Sequence, residues 1–119
     1  MAKYLVLIYG DEQRWDERTE TDLRELDTAH RAFVEGAGGA VVAGFELGAS
    51  TTATSIRRGA SDGSAPVLTD GPFVETREVV GGLYVIEAPD LDAALALAQR
   101  VPEVRESHSG VEVRPIVSG

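Results

Sequence analysis

The chain has 119 residues, 43% hydrophobic and 26% charged, with a net charge of −9 and no cysteine; this fits a single domain over residues 1–119 and excludes disulfides, thiolate catalysis and cysteine metal sites. A polyanion needs a basic stripe and Arg57-Arg58 is too short to be one, so neither nucleic acid nor an anionic membrane is an expected partner. No apolar run approaches the roughly 20 residues of a membrane span and the N-terminus lacks a cleavage-site pattern, so a cytoplasmic protein is expected. Residues 3–9 set Tyr4, Val6 and Ile8 against Leu5, Leu7 and Tyr9, which predicts a strand covered on both faces. Gly10-Asp11-Glu12 ends it, and an acidic loop carrying Trp15 follows. Thr19 and Asp22 have the spacing of a capping box. Leu23, Leu26, His30, Phe33 and Ala37 then recur on one helical face. Gly36, Gly38 and Gly39 end that helix.

Residues 40–47 read as a second strand and 51–58 as a third, more exposed one. The turn Ser61-Asp62-Gly63-Ser64 returns the chain into a short strand at 66–69. Asp70-Gly71-Pro72-Phe73 is a second turn. The segment to Val80 and Gly81-Gly82 precede a strand at 83–87. Asp90 caps a second helix with Leu91, Ala94, Leu95 and Ala98 as its apolar face, and Pro102 blocks its continuation. A polar loop runs to Gly110. Residues 111–117 form a closing strand, with Pro115 marking an edge or near-edge position. Ten arginines against one lysine, and no asparagine, point to a GC-rich bacterial genome.

The order β-α-β, hairpin, β-α-β predicts an α+β fold. It is a ferredoxin-like split βαβ with an inserted hairpin, a mainly antiparallel sheet and both helices on one face. Two helices cover one face only, yet several strands are apolar on both. A second copy opposing its sheet resolves the conflict, so a homodimer is expected.

Asp70 in its turn either accepts backbone N–H groups or acts as a general base or orienter of a histidine. Gly71 permits a positive φ. His30, between Leu26 and Phe33, is either a satisfied core residue or reaches a cleft and pairs with Asp70. A carboxylate against the ring fixes its tautomer and suits proton transfer near neutral pH. His108 falls in a polar loop and reads as solvated. Glu75-Thr76-Arg77-Glu78 is either a solvated loop or places Arg77 against an anionic ligand. Two histidines without ligand spacing give no metal site, the acidic stretch 11–17 lacks calcium-loop spacing, and no dinucleotide fingerprint or nucleophile elbow is present. No cofactor is expected.

The stretch Asp70-Gly71-Pro72-Phe73-Val74-Glu75-Thr76-Arg77-Glu78, followed by Gly81-Gly82-Leu83-Tyr84, resembles the YCII-related family that carries the DGPF motif. The opening strand, the second helix with Pro102 and the closing strand at 111–116 resemble it too. The resemblance implies a dimeric α+β barrel. It implies a His/Asp pair at a cleft, with His30 and Asp70 at the matching positions and Gly71, Phe73 and Arg77 beside a substrate. Arg77 stands where the family usually has lysine. Relatives in the wider superfamily include enzymes acting on small aromatic or lactone compounds, and some resemble accessory domains associated with sigma factors. The leading expectation is isomerase- or lyase-type proton transfer on an unidentified small molecule. The alternative is a non-catalytic ligand-binding or regulatory module.

Overall fold

A computed structural model describes residues 1–72 and 77–117 of the chain. β1 (Ala2–Asp11) lies between β5 (Glu78–Ala88) and β6 (Ser109–Pro115), and β2 (Val41–Glu46) pairs with the far edge of β5. Every pairing in this four-stranded sheet, ordered β2-β5-β1-β6, is antiparallel. α2 (Glu20–Gly36) links β1 to β2 and α3 (Leu91–Ala98) links β5 to β6. This is the expected α+β, ferredoxin-like arrangement. The inserted β3 (Thr54–Arg57) and β4 (Val67–Asp70) form a separate two-stranded sheet. β6 is an edge strand, which is where Pro115 costs no ladder hydrogen bond.

Period-two alternation decides which strand residues meet the helices. Tyr4, Val6, Ile8, Tyr84 and Ile86 are buried with Phe33 of α2 and with Ala94 and Ala98 of α3. α2 opens on a true capping box. Asp22 N–H donates to the Thr19 hydroxyl at 3.1 Å, and Thr19 N–H donates to the Asp22 carboxylate at 2.9 Å. The backbone N–H and then the hydroxyl of Thr19 hold the Asp22 carboxyl below its usual value. Asp90 caps α3 by accepting from Ala93 N–H at 2.8 Å. α3 buries Ala94 and Ala98 and leaves Leu91 and Leu95 exposed, because small side chains let the helix lie close to the sheet.

Four local expectations change. The acidic loop is a short helix, α1 (Glu12–Asp16), with Asp11 accepting from Gln13 N–H at its N-cap. α2 continues through Gly36, and the turn is made by Gly38 and Gly39 at φ of 61° and 91°. β5 begins at Glu78 and runs through Gly81-Gly82, with Gly81 as an extra residue where the register with β1 shifts. Those glycines do not end a segment: Gly81 and Gly10 make a seat for the Trp15 ring. A Cβ on either would lie 2.4 Å or less from a ring carbon. Finally, the polar loop contains a 3₁₀ turn, Pro102–Arg105, that carries Glu103 into the interior.

The opposite sheet face carries Leu5 and Val85 in one cross-strand row and Leu7, Leu83 and Phe45 in the next. Phe45 is 64% exposed. On the hairpin, Ile56 and Leu68 pair across the strands and both are mostly exposed. The molecule is flat, 50 × 41 × 19 Å, with a radius of gyration of 16.7 Å. A compact domain of this length has roughly 13.5 Å. Among the described residues no helix is long and apolar enough to cross a membrane.

Candidate functional site

The buried polar centre forms where α2, β5 and the Pro102–Arg105 turn converge. His30 Nδ1 lies 2.7 Å from the Tyr84 hydroxyl. His30 Nε2 lies 2.9 Å and 2.8 Å from the two oxygens of Glu103. Glu103 is only 6% exposed. An ionised carboxylate can only accept, so Nε2 carries a hydrogen. In the neutral ring Nδ1 is then the acceptor, and Tyr84 O–H donates to it. One N–H serves two carboxylate oxygens, and Oε1 has no aligned donor of its own among the described residues.

Packing fixes the relay. The Tyr84 ring covers Gly44 of β2, where a Cβ would lie 2.6 Å from it. It also tilts against Phe33 at 5.1 Å and His30 at 5.7 Å between ring centroids. Burial first, and then the negative charge of Glu103, raise the Tyr84 phenol above its usual range. The hydroxyl therefore stays protonated and available as a donor. His30 and Tyr84 face a pocket of about 300 Å³ shared with Arg31, Val34 and Glu35. Such an arrangement can accept a proton at the phenol oxygen while the phenol proton moves to Nδ1, with Glu103 stabilising the resulting imidazolium.

The other residues singled out in the sequence lie elsewhere. Asp70 ends β4, pairs with Thr54 and is exposed. The partners of the His30 nitrogens are Tyr84 and Glu103, and Asp70 is not among them. Within this chain the carboxylate beside His30 is Glu103 and not the expected Asp70. The reason is topological, since Asp70 belongs to the separate two-stranded sheet. Gly71 takes φ of 98° with no atom of the described residues where a Cβ would point, so conformation requires glycine there. Its N–H donates to Ala53 C=O at 2.7 Å, and the Ser55 hydroxyl donates to its carbonyl at 2.5 Å. Arg77 is exposed. Phe73, with Glu75 and Thr76, lies outside the described residues.

His108 is not simply solvated. Its side chain is 19% exposed, it lies 3.6 Å from Glu106, and its backbone carbonyl accepts from Asp11 N–H. Around it Trp15 Nε1–H donates to the Ser109 hydroxyl at 2.9 Å, and Ser109 donates to Glu106 at 2.7 Å. Arg18 donates to both Glu106 oxygens at 2.7 Å and lies over the Trp15 ring. Burial pushes the Glu106 carboxyl up. The hydrogen bonds from Ser109 and Arg18, with the nearby positive charge, outweigh this and leave it below its usual value. This network anchors α1 against β6.

Sequence reading missed Glu103 and Tyr84. Tyr84 has the alternation of an ordinary core strand residue. Glu103 left one trace, a lone carboxylate between Val101 and Val104 just after a helix-blocking proline. Among the described residues, no group of three or more side chains of metal-ligand type is assembled.

Residues 2–118 match the YCII-related domain. The chain is also 35% identical over 117 residues to "Uncharacterized protein R00369" of Rhizobium meliloti (strain 1021), covering 95% of this chain and 90% of that protein. The likeness spans the relay and the DGPF turn alike, and the chain belongs to the YCII-related domain family.

Proposed function

We propose that this chain is a small-molecule acid–base protein whose working group is the His30–Tyr84 pair, oriented by Glu103. The observation that carries the reading is the carboxylate–imidazole–phenol relay with its phenol end on a pocket. A buried carboxylate orients the imidazole, and the phenol meets the ligand. A proton leaving a ligand carbon passes to the Tyr84 oxygen as the Tyr84 proton passes to His30 Nδ1. Return of a proton to a neighbouring carbon completes an isomerisation; loss of a leaving group completes an elimination. Neither outcome needs a cofactor.

A library of enolisable carbonyl compounds in deuterium oxide tests this. Wild type should accelerate deuterium incorporation into at least one compound, and His30→Ala should abolish it. Ligands that shift the melting temperature of wild type but not His30→Ala, without any exchange, favour the non-catalytic binding reading. Equal shifts in both proteins remove His30 from the site.

The working form in this reading is a homodimer with open sheet faces opposed. The rows of Leu5, Leu7, Leu83, Val85 and Phe45 support it, as do the flat shape and the exposed Ile56–Leu68 pair. An isolated two-stranded hairpin is marginal in water, so a covering surface would stabilise it. Sedimentation as a monomer at micromolar concentration would remove this part of the proposal.

A further inference from the structure

A second cavity, of about 710 Å³, opens between α1, the apolar side of α2 and the segment from Arg100 to His108. Its size lies within the roughly 300–1,000 Å³ of small-ligand sites. It shares no lining residue with the pocket at His30. Leu26, Ala29 and Phe33 contribute one apolar wall from α2, with Pro102 beside them.

The charges around it are unequal in how they are used. Arg18 is held by both oxygens of Glu106, Arg14 faces Glu17, and Asp22 is committed to the capping box. Arg100 and Arg105 are different: among the described residues neither has a carboxylate partner. This is notable in a chain of net charge −9. Arg24, Arg31, Arg58 and Arg114, all exposed, each have a carboxylate partner. The Arg100 guanidinium is also positioned, since it occupies the space beside Gly36 where a Cβ would lie 2.6 Å from it. The lining carries four arginines and four acids, and Arg100 and Arg105 are its guanidiniums left without a carboxylate among the described residues.

We infer that this cleft binds a small amphipathic organic anion, a carboxylate on an aromatic or short aliphatic body, with Arg100 and Arg105 on the carboxylate and the Leu26–Phe33 face of α2 against the body. A guanidinium presents a planar fork that matches a carboxylate, and the apolar wall supplies what a bare inorganic anion would not use. The inference is independent of the acid–base reading, because the two cavities are separate.

Calorimetric titration with naphthoate, and with neutral naphthamide as its control, tests it. Naphthoate should bind saturably to wild type, and naphthamide at least roughly tenfold more weakly, the factor set by one charge-assisted hydrogen bond. Arg105→Gln, a change at an exposed position, should lose about the same factor, and Arg100→Gln/Arg105→Gln should lose more. His30→Ala should bind naphthoate as wild type does. Circular dichroism on each variant separates lost binding from lost folding, and Arg105→Gln alone suffices if the double variant does not fold. The inference is overturned by absence of saturable binding to wild type, by equal binding of acid and amide, or by wild-type affinity in folded Arg105→Gln. It is equally overturned if His30→Ala, and not Arg105→Gln, abolishes binding.

Discussion

The region where α2, β5 and the Pro102–Arg105 turn converge and the β3–β4 hairpin hold their polar groups in opposite ways. In the first, His30 bonds to Tyr84 and to Glu103 at the margin of the core, and three separate stretches of chain must fold before the set is complete. In the second, the turn at Gly71 is tied to its own hairpin through Ala53 and Ser55, and Asp70 is left in solvent. The contrast teaches that a motif conspicuous along the chain can be local architecture. The group proposed to move a proton draws on partners 54 and 73 positions from His30.

The largest difference should come from the two carboxylates. Glu103→Ala removes the partner of a partly buried imidazole N–H and should cost about 1–2 kcal/mol in denaturant unfolding. Asp70→Ala should stay within the ~0.5 kcal/mol typical of surface substitutions. Equal losses would break the comparison and place Asp70 in a buried contact. Next come the glycines. Gly81→Ala drives a methyl group into the Trp15 ring and should cost about 1–3 kcal/mol. Trp15 is the only tryptophan, so its emission should shift to the red as the ring leaves its seat. Gly71→Ala meets no atoms of the described residues but must adopt φ of 98°. It should cost about 1 kcal/mol and leave the emission unchanged.

How much of this was legible in the sequence follows from the range of each signal. Thr19, Asp22 and Asp90 declare their helix starts within three residues, and the alternation of β1 declares its faces, so the elements and their order were readable. Trp15 was not, because its seat on Gly10 and Gly81 joins two strands. The same holds for the relay. His30 was visible as the odd member of an apolar helical face. The carboxylate that approaches it depends on how the chain turns after α3, and Pro102 and Val101 set that turn only once they pack. Asp70 drew attention because its neighbours form a specific local pattern; specificity along the chain carries no information about which distant side chain it meets.

Tyr84→Phe gives a change as small as that of Gly71→Ala, and its sign with pH makes it the most pointed. It removes the hydroxyl bonded to His30 while keeping the ring on Gly44 and Phe33, so at neutral pH the cost should be about 1 kcal/mol. Its pH dependence has a definite sign. Burial, and then the charge of Glu103, raise the folded phenol above the value of 10.0 that the unfolded chain would show. Between the two values the native state holds the proton and the unfolded state has lost it. The contribution is therefore fully present below that pH and is lost as pH rises through the folded value. Unfolding free energies measured from about pH 8 to about pH 11 should fall more steeply for wild type than for Tyr84→Phe. Parallel curves would mean that the phenol ionises as freely in the folded protein as in the unfolded chain, and that neither burial nor the charge of Glu103 acts on its proton.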